Sequence, residues 1–500
     1  MKRIVPASGN RAWGKRAYVI FALCLATAIT LPAASFTTLY SFCTQSGCTD
    51  GAQPTGGLVQ ATNGDLYGTT SGGGANTSCG SGGCGTVFKI TLGGALTTLY
   101  NFCALANCSD GDSPSAGLLQ ATNGDLYGAT RGIIAGFQGA NPGTIFKITQ
   151  NGTLTTLHNF CSLANCADGA EPTGGLVQAT NGDLYGTTYV GWFNFGTVFK
   201  ITPSGTLTTL HSFCSQKFCT DGEGPWAGLA EAANGDFYGT TLYGGAYGGS
   251  SGTVFKITPT GALTTLYSFC EFAGCQDGDE LFAGLLQPVA GDLYGTTQGG
   301  GDYSSGTIFK ITPSGTLTTL YSFCELAGCP DGAGPGALID ANGDLYGTTS
   351  GGGANGHGTI FKITPSGTLT TLHSFCALAN CADGQGPVGR LVQDTNGDLY
   401  GTTAAGGANG NYGTVFRLSE GLKPFVETQT ASGNVGAAVK ILGNNLTGAT
   451  SVSFNGTGAS FKVVSKFEIT TTVPVGATTG TVQVVTPSGT LSSNVPFRVP

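Results

Sequence analysis

Any chemistry in this chain would have to come from its cysteines, its histidines or its recurring aspartates. Apart from Cys24, the cysteines fall into C-x4-C pairs: Cys43/Cys48, Cys79/Cys84, Cys103/Cys108, Cys161/Cys166, Cys214/Cys219, Cys270/Cys275, Cys324/Cys329 and Cys376/Cys381. An even set of close pairs reads as local disulfides. Zinc competes poorly, because no pair has a second C-x-x-C or a His partner within its repeat. Each bridge would close a six-residue loop, worth about 2 kcal/mol in the chain-entropy model, so it pins a loop rather than a domain. His158, His211 and His373 each stand where neighbouring copies of "LYSF" carry Tyr, which makes them strand residues, and His357 sits alone in a loop. Aspartate recurs in "NGD" and "CADG" as turn chemistry. "DGD" (Asp110 to Asp112) and "DGDE" (Asp277 to Glu280) offer oxygen ligands to Ca²⁺, although neither has the form of an EF-hand loop. The Lys of "FKI" (Lys89, Lys147, and Arg417 in the last copy) reads as a strand residue whose stem snorkels to water. No nucleophile motif, phosphate loop or metal cluster stands out, so no catalytic or metal residue and no cofactor beyond that calcium option is assigned.

The elements that carry these residues repeat. "GDLYG", once "GDFYG", places its Tyr at Tyr67, Tyr127, Tyr185, Tyr238, Tyr294, Tyr346 and Tyr400, 52 to 60 residues apart. One unit holds four short runs rich in β-branched and aromatic residues, "GLVQA", "DLYGTT", "TVFKI" and "LTTLYSF". "TNG" joins the first two and "TPSG" the last two, both turn sequences. Helical periodicity is absent. Such units predict an all-β chain built as a seven-bladed β-propeller. "FTTLYSFC" at Phe36 is a fourth-strand sequence without a unit before it, and the last unit ends at Leu418 without a fourth strand, so the N-terminal strand is expected to close the array. Residues 36–419 form this domain. Residues 420–500 contain no Cys and no repeat motif, and their alternating strands predict an immunoglobulin-like β-sandwich.

Residues 1–35 read as a signal peptide: a basic start, the apolar "AYVIFALCLATAITL", and small residues before Ser35. The apolar run is shorter than the roughly 20 residues that span a bilayer, and no later stretch could span one. A retained N-terminal anchor is the competing reading. Removing the segment takes away five of 20 positive charges, leaving 15 − 28 = −13, which argues against nucleic acid as a partner. The chain is expected outside the cytoplasm, secreted, periplasmic or at the cell surface, as a monomer.

The units "NGDLYGTT", "GTVFKI" and "LTTLYSF", recurring together from about Phe36 to Leu418, resemble the tandem repeats of bacterial GloVer-containing exported proteins. That resemblance implies export and no activity. Many members of that group add a surface anchor at the C-terminus, whereas this chain ends in "VPFRVP". From about Pro424 to Pro500, "GNNLTGATSVSFNG" and "VPVGATTGTVQVVTPSG" are similar to an IPT/TIG domain, which implies a module of surface proteins and receptors and no chemistry.

What varies is the link between "YGTT" and "GTVF", which antiparallel order places at the same end as the Cys-pair loops. Phe137, Trp192, Phe193, Phe195, Tyr243, Tyr247 and Tyr303 lie in these links and are candidates to stack on a sugar or anchor a protein partner. The leading reading is an exported non-enzymatic scaffold or binding module with a polysaccharide or surface protein as ligand. A propeller enzyme, lyase or hydrolase, acting on extracellular carbohydrate is a second, and a purely structural envelope protein a third. An enzyme should concentrate charged residues in one or two repeats.

Overall fold

The computed structural model describes residues 34–80, 82–132, 142–190, 195–232, 234–247, 251–288 and 291–500. Its first unit is a four-stranded antiparallel sheet in sequence order, Val59–Gln60, Leu66–Thr70, Thr86–Ile90 and Leu96–Asn101. Local chemistry makes the turns. Asn63 Oδ1 accepts the Asp65 N–H at 3.1 Å, and Gly64 supplies φ +88° against the Phe467 ring, where a Cβ would stand 2.6 Å from ring carbons. The second and third strands are buried along nearly their whole length, whereas the fourth is partly open. This matches strands without polar alternation in their sequence.

The expectation of one seven-bladed propeller followed by an immunoglobulin-like sandwich is corrected by this topology. The described strands hydrogen-bond into nine separate antiparallel sheets of three to five strands, and none closes into a barrel or propeller. The sheets are small because a unit's first strand is often only two residues long, as at Val59–Gln60 and Leu119–Gln120. Beyond it, bonding passes to side chains: the Thr62 N–H donates to Gln120 Oε1 at 2.9 Å, and the Thr122 N–H to Gln178 Oε1 at 3.0 Å. The all-β class stands. Ser35–Ser41 does pair antiparallel with Thr414–Ser419, from Ser35 opposite Ser419 to Ser41 opposite Thr414. The Thr395 N–H also donates to Gln60 Oε1 at 3.0 Å, so the last repeat touches the first.

Aromatic rings carry the packing between consecutive repeats. The Phe of "SFC" in one unit meets the Phe of "FKI" in the next edge to face, as in Phe102–Phe146 (5.2 Å), Phe213–Phe255 (5.1 Å) and Phe375–Phe416 (5.2 Å). Such a pair contributes about 0.5–1.5 kcal/mol beyond its area burial.

The "FKI" lysines do more than snorkel. Lys89, Lys200 and Lys256 lie 3.7–3.8 Å from the "NGD" carboxylates Asp65, Asp183 and Asp236, and Arg417 takes the same place beside Asp398 at 3.9 Å. These partly exposed pairs contribute little, roughly 0–1 kcal/mol each.

After Ser419 two further four-stranded sheets form. One contains Ala438–Leu442 and Glu468–Thr472, the other Ser451–Phe454 and Val482–Thr486. Side chains of both, including Ile441, Ile469, Phe454 and Val484, make one buried core. This module lies against the "NGD" turns: Gln429 Nε2 donates to Gln120 Oε1 at 2.8 Å, and Arg498 Nη1 to the Ala232 carbonyl at 2.9 Å. Among the described residues no helix is long and apolar enough to cross a membrane.

Candidate functional site

All eight C-x4-C pairs are joined as disulfides: Cys43–Cys48, Cys79–Cys84, Cys103–Cys108, Cys161–Cys166, Cys214–Cys219, Cys270–Cys275, Cys324–Cys329 and Cys376–Cys381. Each bridge closes its own loop, and the paired cysteines do not gather into one site among the described residues. Cys79 and Cys84 lie close to Cys103 and Cys108 of the same repeat, whereas Cys48, Cys166, Cys219 and Cys329 each sit in a separate bridged loop and join no group of three or more metal-ligating side chains among the described residues. Nor is the bridge alone in pinning the loop. The second cysteine of each of these four pairs has left-handed backbone (Cys48 φ +53°, Cys166 +48°, Cys219 +52°, Cys329 +48°), and its carbonyl accepts the N–H of the glycine three residues on. Those bonds are Gly51 to Cys48 at 2.9 Å, Gly169 to Cys166 at 2.8 Å, Gly222 to Cys219 at 2.9 Å and Gly332 to Cys329 at 3.0 Å. The Cys48, Cys219 and Cys329 carbonyls also accept from Gly74, Gly245 and Gly353, at 2.9, 3.0 and 2.8 Å, which ties the bridged loop to the variable link of its own repeat. Backbone hydrogen bonding of this kind depends on φ, and cysteine spacing carries no information about it.

Two residues past the second cysteine of seven of the pairs an aspartate does the organising, and in six of them it is buried. Asp110, fully buried, accepts the Tyr100 hydroxyl at 2.8 Å and the Ala104 and Leu105 N–H groups at 2.9 and 3.1 Å. Where His replaces Tyr, its Nε2 meets the same carboxylate: His158–Asp168 2.9 Å, His211–Asp221 3.2 Å, His373–Asp383 3.3 Å. The histidines are therefore strand residues whose side chains cap a loop. Burial pushes the Asp168 carboxyl up, but hydrogen bonds from Ser162, His158 and Leu163 outweigh it, and the net shift is downward.

The calcium option receives no support from Asp110, whose oxygens are spent on this cap. Asp277 accepts the Tyr267 hydroxyl and the Glu271 N–H in the same way. Asp279 is pushed up by burial and by the charges of Glu280 and Asp277.

Among the candidate aromatics, Phe195, Tyr247 and Tyr303 are exposed (44, 52 and 45%) and Tyr243 is half-buried. Phe137, Trp192 and Phe193 lie outside the described residues. Tyr247 and Tyr303 sit in separate links. Phe195 and Tyr243 belong to one place, because the Phe195 carbonyl accepts the Gly224 N–H at 2.7 Å and Tyr243 exchanges backbone hydrogen bonds with Glu223.

That place is built from residues of four consecutive repeats. Arg131 and Tyr189 each follow the end of a second strand (Leu126–Thr130 and Leu184–Thr188), and their N–H groups bond the Ser113 and Glu171 carbonyls at 3.2 and 2.9 Å. Trp226 and Phe282 occupy one register, just before the "AGL" that opens a unit. The Trp226 ring meets Tyr189 edge to face at 4.9 Å and Phe282 at 5.5 Å. Gly224 permits this approach, since a Cβ there would stand 3.0 Å from the Tyr189 ring, and its φ of +64° disfavours a side chain. Arg131 Cζ lies 5.3 Å from the Trp226 ring centroid, and its Nε donates to Glu171 Oε2 at 2.9 Å. The Glu171 side chain is 9% exposed and the Arg131 side chain 42%, so a buried carboxylate anchors a cation that still reaches solvent. Burial pushes the Tyr189 phenol up, helped by its hydrogen bond to Tyr243 and opposed by Arg131. Burial also pushes the Glu223 carboxyl up. The arrangement offers an aromatic shelf and one fixed cation, beside a Glu223 carboxyl whose charged form burial disfavours.

Trp226, Phe282, Tyr189 and Arg131 were not among the sequence candidates. The signal was available. At the Trp226 register the other units have Thr55, Ser115, Thr173, Gly336 and Val388, and at the Arg131 register Ser71, Leu242, Gln298, Ser350 and Ala404 stand beside Tyr189.

A family model described as the Gloeobacter/Verrucomicrobia repeat matches residues 25–219, 162–337 and 327–491. No curated protein matches in sequence. Among solved structures, a fungal alcohol oxidase of the AA5 family in complex with copper is similar at 12% identity and TM-score 0.50, over 93% of this chain and 98% of that one. An extracellular domain of a hybrid two component system from B. thetaiotaomicron is similar at 13% identity and TM-score 0.47, over 93% and 58%. The first is a likeness of fold alone. In this chain, the His, Cys and Asp groups that lie together among the described residues are built on disulfide cysteines, such as Cys79, Cys84 and Cys103, which have no free thiolate to offer a metal.

Proposed function

We propose, from the premise that this chain belongs to the Gloeobacter/Verrucomicrobia repeat family, that it is an exported, non-enzymatic binding protein whose ligand is a polysaccharide. Residues 1–35 direct export, and the IPT/TIG-like module at the C-terminus acts as a structural partner of the repeats at the cell surface or outside the cell. The eight disulfides and the absence of a spanning helix among the described residues are compatible with that location.

One observation carries the reading. Repeats that otherwise copy each other depart from the pattern at two registers, and the departures of four consecutive repeats meet around Trp226. Clustered aromatics with one satisfied charge pair are the composition of a recognition surface.

The test is a glycan array probed with the exported protein and with Trp226→Ala. The variant should lose at least about tenfold in affinity for any glycan that the wild type retains, because aromatic anchors contribute roughly 1–2 kcal/mol or more. Phe272→Ala, an exposed ring on a disulfide loop, should bind as the wild type does. Retention of a glycan with no dependence on Trp226 would remove the site from the proposal.

A further inference from the structure

The cation of this site has a geometry that selects among saccharides, and the following inference rests on the binding reading above. Arg131 is the only basic residue at its register: the corresponding positions hold Ser71, Tyr189, Leu242, Gln298, Ser350 and Ala404. Its Nε is committed to Glu171 Oε2 at 2.9 Å. A guanidinium has five N–H donors in a planar fork, so among the described residues the edge formed by its two Nη nitrogens is left for a ligand. The side chain is 42% exposed, and the group lies 5.3 Å from the centroid of Trp226. The carboxylate that fixes it is almost wholly buried, so the fork is held before any ligand arrives and loses little rotamer freedom on binding.

The geometry points to a uronate-containing polysaccharide as the ligand, with the apolar face of one sugar ring on the Trp226 shelf and the C6 carboxylate of that or an adjoining residue paired to the Nη edge of Arg131. A planar, two-oxygen anion matches the fork, whereas a neutral sugar hydroxyl uses only one of its donors. The acidic net charge of the protein, −8 for the whole chain, disfavours polyanions in general, so an anionic glycan would be held by this local contact and not by a diffuse field.

The experiment measures calorimetric affinity of the full chain, with its disulfides formed, for oligogalacturonate, for its fully methyl-esterified form, and for poly-L-glutamate. The acid should bind at least about tenfold tighter than the ester, the value of one charge-assisted bidentate contact. Arg131→Gln should abolish that preference, whereas Trp226→Ala should weaken both saccharides. Because Arg131→Gln strands the Glu171 carboxylate, the Arg131→Gln/Glu171→Gln double variant serves as the uncharged but hydrogen-bonded control, and each variant is compared at matched melting temperature. Equal binding of acid and ester, or an unchanged preference in both Arg131 variants, overturns the uronate assignment and leaves the glycan site in place. Binding of poly-L-glutamate in preference to the saccharide overturns it in favour of an acidic protein partner. Binding of none of the three overturns it as well, and the glycan array with Trp226→Ala then decides separately whether the site binds any saccharide.

Discussion

At the scale of single residues, His373 and Asp394 make stability depend on pH in two directions. His373 packs flat on Phe36 with ring centroids 3.8 Å apart, and burial lowers its affinity for a proton although Asp383 opposes this. The unfolded chain then takes up that proton more readily than the folded one. Stability from this group is complete above the ordinary histidine range near 6.5 and falls as pH drops through it. His373→Tyr, which restores the repeat residue, should flatten the fall in melting temperature between pH 8 and pH 5, followed by thermal denaturation. Asp394 behaves oppositely. It stands where Ala61, Ala121 and Ala179 stand in other units, is fully buried, and burial pushes its carboxyl up to about 6. Its folded form prefers the proton, so its contribution is complete below about 4 and lost as pH rises through about 6. Asp394 Oδ1 accepts the Asn396 and Asp398 N–H groups at 3.1 and 2.9 Å, and an amide oxygen can do the same. Asp394→Asn should therefore raise stability by about 1 kcal/mol at pH 8, after the loss of the Asn396 side-chain bond to Oδ2, and should not raise it at pH 4. Equal effects at both pH values would reject the argument.

At the scale of elements, each disulfide loop built on a "CADG"-type aspartate is a small unit held from three sides: the bridge, the aspartate, and the strand Tyr or His above it. Cys103 and Cys108 both have left-handed backbone (φ +60° and +51°), a conformation uncommon for any residue with a side chain. A Cys103→Ala/Cys108→Ala variant should lose about 2 kcal/mol, read as a lowered denaturant midpoint, and its far-ultraviolet dichroism should stay unchanged because no strand depends on the bridge. Asp110→Ala should cost at least as much, about 2–3 kcal/mol, since Tyr100 and two N–H groups lose their acceptor together. These elements were legible in the sequence to different degrees. Strand runs such as "TVFKI", the Asn-Gly turns, the cysteine pairing and the partnership of the N-terminal strand with Thr414–Ser419 all depend on local pattern or on counting copies. The role of the "CADG" aspartates was not legible, because turn chemistry and loop capping use the same residue. The same holds for the carbonyls of Cys48, Cys219 and Cys329, whose second acceptor role toward the variable links follows from backbone shape. Nor was the extent of the sheets legible, since it depends on where hydrogen bonding stops between repeats. Trp226 and Phe282 were not legible for a different reason: each is a single residue at one register, a shorter signal than any variable link.

At the scale of the whole molecule, the seventh repeat differs from the others where it meets the C-terminal module. Arg390 occupies a position held by Gly57, Gly117, Gly175, Gly228 and Gly284 in five other repeats. Its charge and that of Glu427, from the first strand of the module, act on each other: burial lowers the Arg390 guanidinium and raises the Glu427 carboxyl, and each group partly reverses the other's shift. Both residues are exposed, so water reaches the pair. Water lowers what the pair is worth. Removing one partner of a fully desolvated pair costs roughly 3–5 kcal/mol, whereas for an exposed pair such as this one about 0–1 kcal/mol is expected. Arg390→Met should therefore destabilise the chain, Glu427→Gln should do so by a similar amount, and the double variant should cost less than the sum, because neither charge is then left alone. A double-mutant cycle on denaturant midpoints measures this coupling. Additive losses would mean that the two charges do not join the module to the repeats. The contacts of Gln429 with Gln120 and of Arg498 with Ala232 would then carry the attachment, and truncation at residue 420 would cost only what those hydrogen bonds and the covered turns contribute.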